Sequence, residues 1–276
     1  QGWTSYLTRA QHLLQQGIAV VDVCYFQGET LRSDAPDART DGRALFPGYA
    51  VDRVEAECIL KRFRIADGLI VLPDGMSYGV LALPEMSSIS PALLRRIGEL
   101  VAEGMTLLVQ NRPDVAPGLA ARREADAEVK KLAAELWGDL DGRTATERAH
   151  GKGRVVWDTL SAATLKKLQL TPDFEFVAAS REPAVRYLHR KIGDAEVYFV
   201  ANRALRDESL VATFRVSGRQ PELWNPETGE ISDAAIYDES GGRTRVPLHL
   251  EPAVSVFVVF RRARVAAPIV AVSRNG

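Results

Sequence analysis

Two stretches of this chain hold residues whose types and spacing could do chemistry. The first is Gly75-Met76-Ser77-Tyr78-Gly79, which matches the G-x-S-x-G pattern of a serine nucleophile elbow. That elbow needs a strand before the serine and a helix after it, so that the hydroxyl stands exposed on a strained turn. Here the next residues, Val80-Leu81-Ala82-Leu83-Pro84, form an apolar strand pattern ending in proline. A hydrolase would also need an acid and a histidine, and His189 and His249 lie far along the chain in strand-like runs. The pattern therefore reads as a polar turn between two strands, with a serine esterase built on Ser77 as the competing reading.

The second stretch is DVCYFQGE, with Asp22, Tyr25, Gln27 and Glu29, followed by Tyr49 and Asp52 in GYAVD. In open α/β sheets, ligands sit in the crevice outside the carboxyl ends of the strands. Aromatic rings beside carboxylates suit a sugar, because the ring stacks on C–H faces and the carboxylate accepts from hydroxyls. The plainer alternative makes Asp22 a satisfied strand-end acid and Asp52 the cap of a following helix. Asp22, Tyr25, Glu29, Tyr49 and Asp52 are the candidate substrate-binding residues; no catalytic residue and no metal ligand is identified. Cys24 and Cys58, the only cysteines, lie in apolar runs without zinc-ligand spacing, as small buried hydrophobes do. No G-x-G-x-x-G follows the first strand and no Walker A pattern occurs, so nucleotide binding has no support.

The elements that must position these residues change character along the chain. TSYLTRAQHLLQQG sets Tyr6, Leu7, Ala10, Leu13 and Leu14 on one helical stripe with Gly17 as a stop. IAVVDVCYF follows as a nearly continuous apolar run, the mark of a strand buried on both faces. A polar loop spans 27–48, a helix is expected from Asp52, and two strands meet at Asp74-Gly75. Ser90-Pro91 opens another helix, with Ser90 as N-cap and Gly104 closing it. MTLLVQ, a charged helix in READAEVKKLAAELWG and a last strand–helix pair complete an alternation that argues for a parallel sheet in three layers. After about Pro183 only short strands remain, separated by Gly, Asp, Asn and Pro, as in an antiparallel sandwich. In that part, PELWNPETGEI reads as a hairpin whose Trp224 packs into the sandwich core. Asp173, Glu175 and Arg186 read as surface or interdomain pairs, and His189 as a satisfied sheet histidine. The expected domains are a flavodoxin-like (class I amidotransferase-like) α/β domain over 1–180 and a β-sandwich over 181–276.

Composition narrows the partners. The 276 residues carry a formal net charge of −1, which leaves no basic footprint for nucleic acid or an anionic membrane. With 46% apolar and 26% charged residues the balance is that of a globular protein. No run approaches the roughly eighteen apolar residues of a membrane span. Gln1 in place of Met suggests either a trimmed sequence or a segment cut from something longer.

Four stretches occur together and in order: SYLTRAQHLLQQGIAVVDVCYFQGE, LPDGMSYGVLALPE, YLHRKIGDAEVYFVANR and FRVSGRQPELWNPETGEI. This ordered set resembles the region that follows the catalytic barrel in the α-L-rhamnosidases of glycoside hydrolase family 106. The resemblance covers about residues 5–262. It implies a glycosidase acting on α-L-rhamnosyl linkages in rhamnose-containing glycans, with its acid and base carboxylates on an N-terminal (β/α)₈ barrel. None of this chain reads as eight βα repeats, so it is expected to be an accessory, pocket-supporting part rather than the catalyst. A non-catalytic carbohydrate-binding or structural module is the alternative. The resemblance also implies calcium in the complete enzyme, no cofactor in this segment, and a periplasmic or secreted location.

Overall fold

The computed structural model describes residues 2–29, 44–118 and 122–264. The rest of the polar loop expected over 27–48, and the end of the loop before the charged helix, fall outside the described residues. The chain separates into two compact units: residues 1–20 with 172–276, and residues 21–171. The N-terminal helix α1 (Gly2–Leu14) and the short strand β1 (Ile18–Ala19) fall with the C-terminal strands, although the sequence pattern groups them with the α/β part. Helical stripes record only that a face is buried; they do not record against what.

The 21–171 unit is built on a six-stranded sheet. Its strands are β2 (Val23–Phe26), β3 (Val51–Val54), β7 (Val80–Leu83), β8 (Thr106–Val109), β9 (Glu147–His150) and β10 (Gly153–Trp157), in the order β3-β2-β7-β8-β10-β9. The first five pair in parallel, and β9 closes the edge antiparallel to β10. All four residues of β2 and of β7 are buried, as their unbroken apolar runs require of strands covered on both faces. One face carries the helices α2 (Ala56–Arg62), α3 (Pro91–Glu103) and α4 (Arg122–Trp137), packed through Ile59, Leu93, Ile97, Val129 and Trp137 onto Phe26, Leu81 and Leu107.

The other face differs from expectation. Val23, Val51, Val80, Leu108 and Val156 are covered by Leu45, Phe46 and Tyr49 from a loop, and by the six-residue α5 (Ala162–Lys167). With no full helical layer there, and with a second sheet inserted before β7, the flavodoxin-like three-layer core is not formed. That inserted sheet is antiparallel: β4 (Arg64–Ala66), β5 (Leu69–Val71) and β6 (Ser77–Tyr78). The described residues hold nineteen strands and five helices, and strand pairing in four sheets dominates the chain.

Local signals for α3 hold residue by residue. Ser90 Oγ accepts from the Leu93 amide at 3.3 Å, Pro91 takes the first helical position, and Gly104 closes the helix at φ 137°. The helix expected to begin at Asp52 instead starts at Ala56, after Asp52 has been used in β3. Val51 and Val54 are β-branched and find buried positions beside β2, which outweighs a short helical pattern.

The second unit stacks two antiparallel sheets. One holds β1, β12 (Val185–Ile192), β13 (Ala195–Asn202), β15 (Arg219–Trp224), β16 (Ile231–Asp233) and β19 (Ser255–Ala263). The other holds β11 (Phe174–Ala178), β14 (Glu208–Phe214), β17 (Asp238–Ser240) and β18 (Arg243–Leu250). Tyr198, Val200 and Phe260 of the first meet Leu210, Phe214 and Val246 of the second, with the Tyr198 and Phe214 rings edge-on at 4.8 Å. Each such side chain contributes about 1.5–3 kcal/mol on burial. The outer face of the first sheet is closed by α1, where Tyr6, Ala10, Leu13 and Leu14 pack on Val197, Phe257 and Val259. Trp224 belongs to that outer cluster and not to the core between the sheets. Gly17 sits at φ 58° with Lys191 O only 2.0 Å from where a Cβ would be, so β1 can lie against β12 only with glycine there.

Candidate functional site

The five candidate residues fall in the 21–171 unit, but the sheet distributes them. Asp22 precedes β2 and so stands at its amino end. Its backbone amide donates to Ala50 O at 3.1 Å, its carboxylate accepts from the Ala50 amide at 3.1 Å, and its carbonyl accepts from Gly79 at 2.9 Å. Asp22 thus ties β2 to the segments leading into β3 and β7. Tyr25 lies mid-strand and 6% exposed among Val23, Phe46 and Tyr49. Tyr49 is 3% exposed and donates its hydroxyl to Leu170 O at 2.7 Å. These three share one end or face, but as packed and bonded groups.

Asp52 pairs in register with Cys24 on the opposite face and accepts from the Tyr78 hydroxyl at 3.2 Å. Burial, then the charges of Cys58 and Asp52, push the Cys24 thiol well above its ordinary range. Burial followed by Asp52 does the same to the Tyr78 phenol. Neither group is poised to ionise as a nucleophile. Glu29 alone stands at the carboxyl edge, three residues past the end of β2. Its carboxylate accepts from the Ser90 amide at 2.5 Å and from the Ser90 hydroxyl, at the amino terminus of α3. A carboxylate there is favoured by the unpaired amides and the helix dipole. Asn111, past the carboxyl end of β8, is pinned by accepting from Met86 N at 3.0 Å and donating to Met86 O at 2.7 Å.

Ser77 occupies β6, opposite Val71, and is followed by a strand rather than a helix. The turn before it is a hairpin closed by Gly75 N to Leu72 O at 2.9 Å, with Gly75 at φ 90°. The elbow geometry is therefore missing, and His189 and His249 belong to strands of the other unit.

The most concentrated set of ionisable side chains is one the sequence did not reveal. His189 places Nδ1 at 3.0 and 3.1 Å from the two Asp173 oxygens and Nε2 at 2.9 Å from Glu196. Tyr198 donates its hydroxyl to Asp173 at 2.9 Å, and Arg215 lies 3.3 Å from the same carboxylate. The His189 and Tyr198 rings stack at 3.7 Å, because β12 and β13 put them directly opposite. Burial by itself would lower the histidine pKa, but the hydrogen bonds that the ring donates to Asp173 and Glu196 outweigh it, and the net shift is upward. Asp173 is wholly buried, so it is not the surface acid its neighbours suggest; Glu175 pairs instead with Arg243 at 2.6 Å, and Arg186 donates to Val185 O at 3.0 Å. With both ring nitrogens engaged and the ring itself buried, this cluster joins the two sheets. Only the placement of Asp173 next to the apolar FEFV run hinted at it.

The comparisons with known proteins place these units in a family. The sequence profile of glycoside hydrolase family 106, alpha-L-rhamnosidase, matches residues 1–239. The chain belongs to glycoside hydrolase family 106. A solved rhamnosidase from Novosphingobium sp. PP1Y is 34% identical, with a TM-score of 0.86, over 100% of this chain and 26% of its own. A Formosa agariphila protein named "Putative beta-glucuronidase" is 33% identical over 95% of this chain and 21% of its own length. This family 106 chain therefore spans about a fifth to a quarter of those relatives. A beta-galactosidase from Bacillus circulans sp. alkalophilus, 13% identical with a TM-score of 0.55 over 93% of this chain, shares the fold. The likeness along the whole chain to a rhamnosidase replaces the flavodoxin-like expectation. Among the described residues no group of three or more His, Cys, Asp or Glu side chains is placed to hold a metal ion.

Proposed function

We propose that this chain is the accessory, pocket-supporting part of a family 106 enzyme that hydrolyses α-L-rhamnosyl linkages in glycans. The observation that carries the reading is the 34% identity to a rhamnosidase over all of this chain but only 26% of that protein. The reaction needs one carboxylic acid to protonate the leaving oxygen and one carboxylate to activate water or attack the sugar. The best-placed carboxylates here are committed elsewhere: Asp22 to a backbone amide, Glu29 to a helix terminus, Asp173 to a buried clamp. The reacting pair is assigned to a barrel N-terminal to this region, and Glu29 with the loops at the carboxyl edge of the parallel sheet to the rim of the sugar site. Calcium, in this reading, is held by the remainder of the enzyme, which acts in the periplasm or outside the cell.

The test is direct. Incubated with an aryl α-L-rhamnoside, this chain should release no phenol, while the full-length enzyme should. Release by this chain alone would place the catalytic carboxylates within it and end the accessory reading. An aryl β-glucuronide is the second substrate to try on the full-length enzyme, since the Formosa relative bears that name.

A further inference from the structure

The 21–171 unit's loops are not the only surface suited to a sugar. In the sandwich unit, α1 and the β15–β16 hairpin enclose a groove of about 200 Å³, with Leu13, Trp224, Ile231 and Phe257 on its walls and Arg9, His12 and Glu230 at its rim. We propose that this groove binds one neutral pyranosyl residue of a glycan, its C–H face against the Trp224 indole.

The first argument is that the aromatic wall is held in place. Trp224 donates Nε1–H to the buried Glu222 carboxylate at 3.0 Å, and the Arg261 guanidinium lies 5.0 Å from the ring centroid. Glu222 is in turn held by Arg261 at 3.1 Å and Arg262 at 2.6 Å. A side chain fixed in this way loses little freedom when a ligand arrives, which is where preorganised sites gain affinity. The opposite wall is fixed too. Arg9 on α1 donates to Pro226 O at 3.1 Å and Glu227 O at 2.7 Å, so helix and hairpin cannot drift apart. Asn225 shapes the turn itself, accepting from the Glu227 and Thr228 amides at 2.8 and 3.2 Å, while Gly229 takes φ 82°.

The second argument is chemical complementarity. The groove is smaller than the roughly 300–1,000 Å³ of sites for drug-sized ligands, which leaves room for a single sugar ring. Its walls are apolar and aromatic, matching a pyranose C–H face. His12 and Glu230 are exposed at its rim, and the side chain of neither has a hydrogen-bond partner among the described residues, so a donor-acceptor pair is available to ring hydroxyls. A cation at Arg9 and an anion at Glu230 leave no net bias toward a charged sugar. The proposal takes from the family reading only that the ligand is a glycan. It stands or falls separately from where hydrolysis occurs, because the readout is binding by this chain and not turnover.

The experiment is an NMR titration of the 276-residue chain with methyl α-L-rhamnopyranoside, then with neutral and anionic methyl pyranosides. Expected are saturable shifts at the Trp224 indole N–H and at the amides of Asn225 and Gly229, with millimolar affinity. Two variants follow. Trp224→Phe keeps a ring but loses the bond to Glu222, and should weaken binding at least about tenfold, as losing one placed polar anchor does. Ile231→Trp changes an exposed residue outside the Glu222 network and fills the groove; it should abolish the shifts while leaving the rest of the spectrum intact. Absence of shifts at the Trp224 indole with every pyranoside overturns the proposal. So does binding that Ile231→Trp leaves unchanged, or a preference for the anionic sugar.

Discussion

The two units bury different things. The core between sheet and helices in the 21–171 unit runs through Phe26, Ile59, Leu107 and Trp137 with almost no charge inside it; Asp22, at its margin, is the buried acid. The sandwich unit buries Asp173, His189, Glu208 and Glu222, the first two held by each other, Glu208 by Ser180 and Arg206, and Glu222 by Arg261 and Arg262. The difference follows from how each core closes. Helices cover a parallel sheet with long apolar stripes, whereas the strands of the sandwich bring polar side chains into its buried positions, where each must be satisfied. Such ion clusters contribute little net stability against an apolar filling, but losing one member is costly. The contrast therefore teaches that the sandwich is specified in part by buried polar pairing, between its sheets at Asp173 and within one sheet at Glu222, and the other unit by volume.

The sharpest way to break this comparison is Asp173→Ala. It strands His189, Tyr198 and Arg215, and should cost about 3–5 kcal/mol, read by denaturant unfolding and by faster amide exchange in β11–β13. A loss under about 1 kcal/mol would mean that water replaces the carboxylate and that the clamp is incidental. Next in size, Leu107→Ala in β8 removes a fully buried side chain from the apolar core and should cost about 3 kcal/mol, with exchange rising in β7 and β8.

The pH dependence sharpens the contrast. The folded pKa of His189 is raised above its ordinary 6.5, so the protonated ring is what the fold favours. Its contribution is complete below that ordinary value and is lost as pH rises through the raised one. The ring faces Asp173, Glu196 and Tyr198, with Arg215 at 3.3 Å from Asp173 and Lys191 at 4.0 Å from Glu196. Stability of the sandwich strands should decline as pH rises above 6.5 through the raised pKa, and His189→Gln should flatten the decline. A pH-independent His189 region would sink the account. The smallest effect expected is that of Glu29→Gln at the amino end of α3. It should cost about 1 kcal/mol, seen as fraying of the first turn, and in the full-length enzyme it tests whether that edge also touches sugar, through KM.

Residues with local consequences were legible. Ser90, Pro91 and Gly104 announced α3, and the fully apolar runs at 23–26 and 80–83 announced strands buried on both faces. The ordered stretches also carried the family. What could not be read were choices among partners. The stripe of Tyr6, Ala10 and Leu13 demanded a cover but could not say that the cover was β13 and β19 of the C-terminal unit. Trp224 and its neighbours looked like core, and the strand alternation put them on the sheet's outer face beneath α1. For Asp22 and Tyr49 the sequence could not show the internal bonds to Ala50 and Leu170, because acids and aromatic rings at strand ends are equally suited to binding and to internal bonding.

By itself, then, the amino-acid order determined the strand and helix periods, the turn residues, the near-neutral charge and the membership of family 106. Only the tertiary structure decided that α1 closes the sandwich, that the second helical layer is replaced by a loop and one short helix, and that His189 meets Asp173. The physical reason is range. Periodicity, capping and φ preferences act within a few residues, while burial and ion pairing join groups whose separation along the chain carries no information about which will meet.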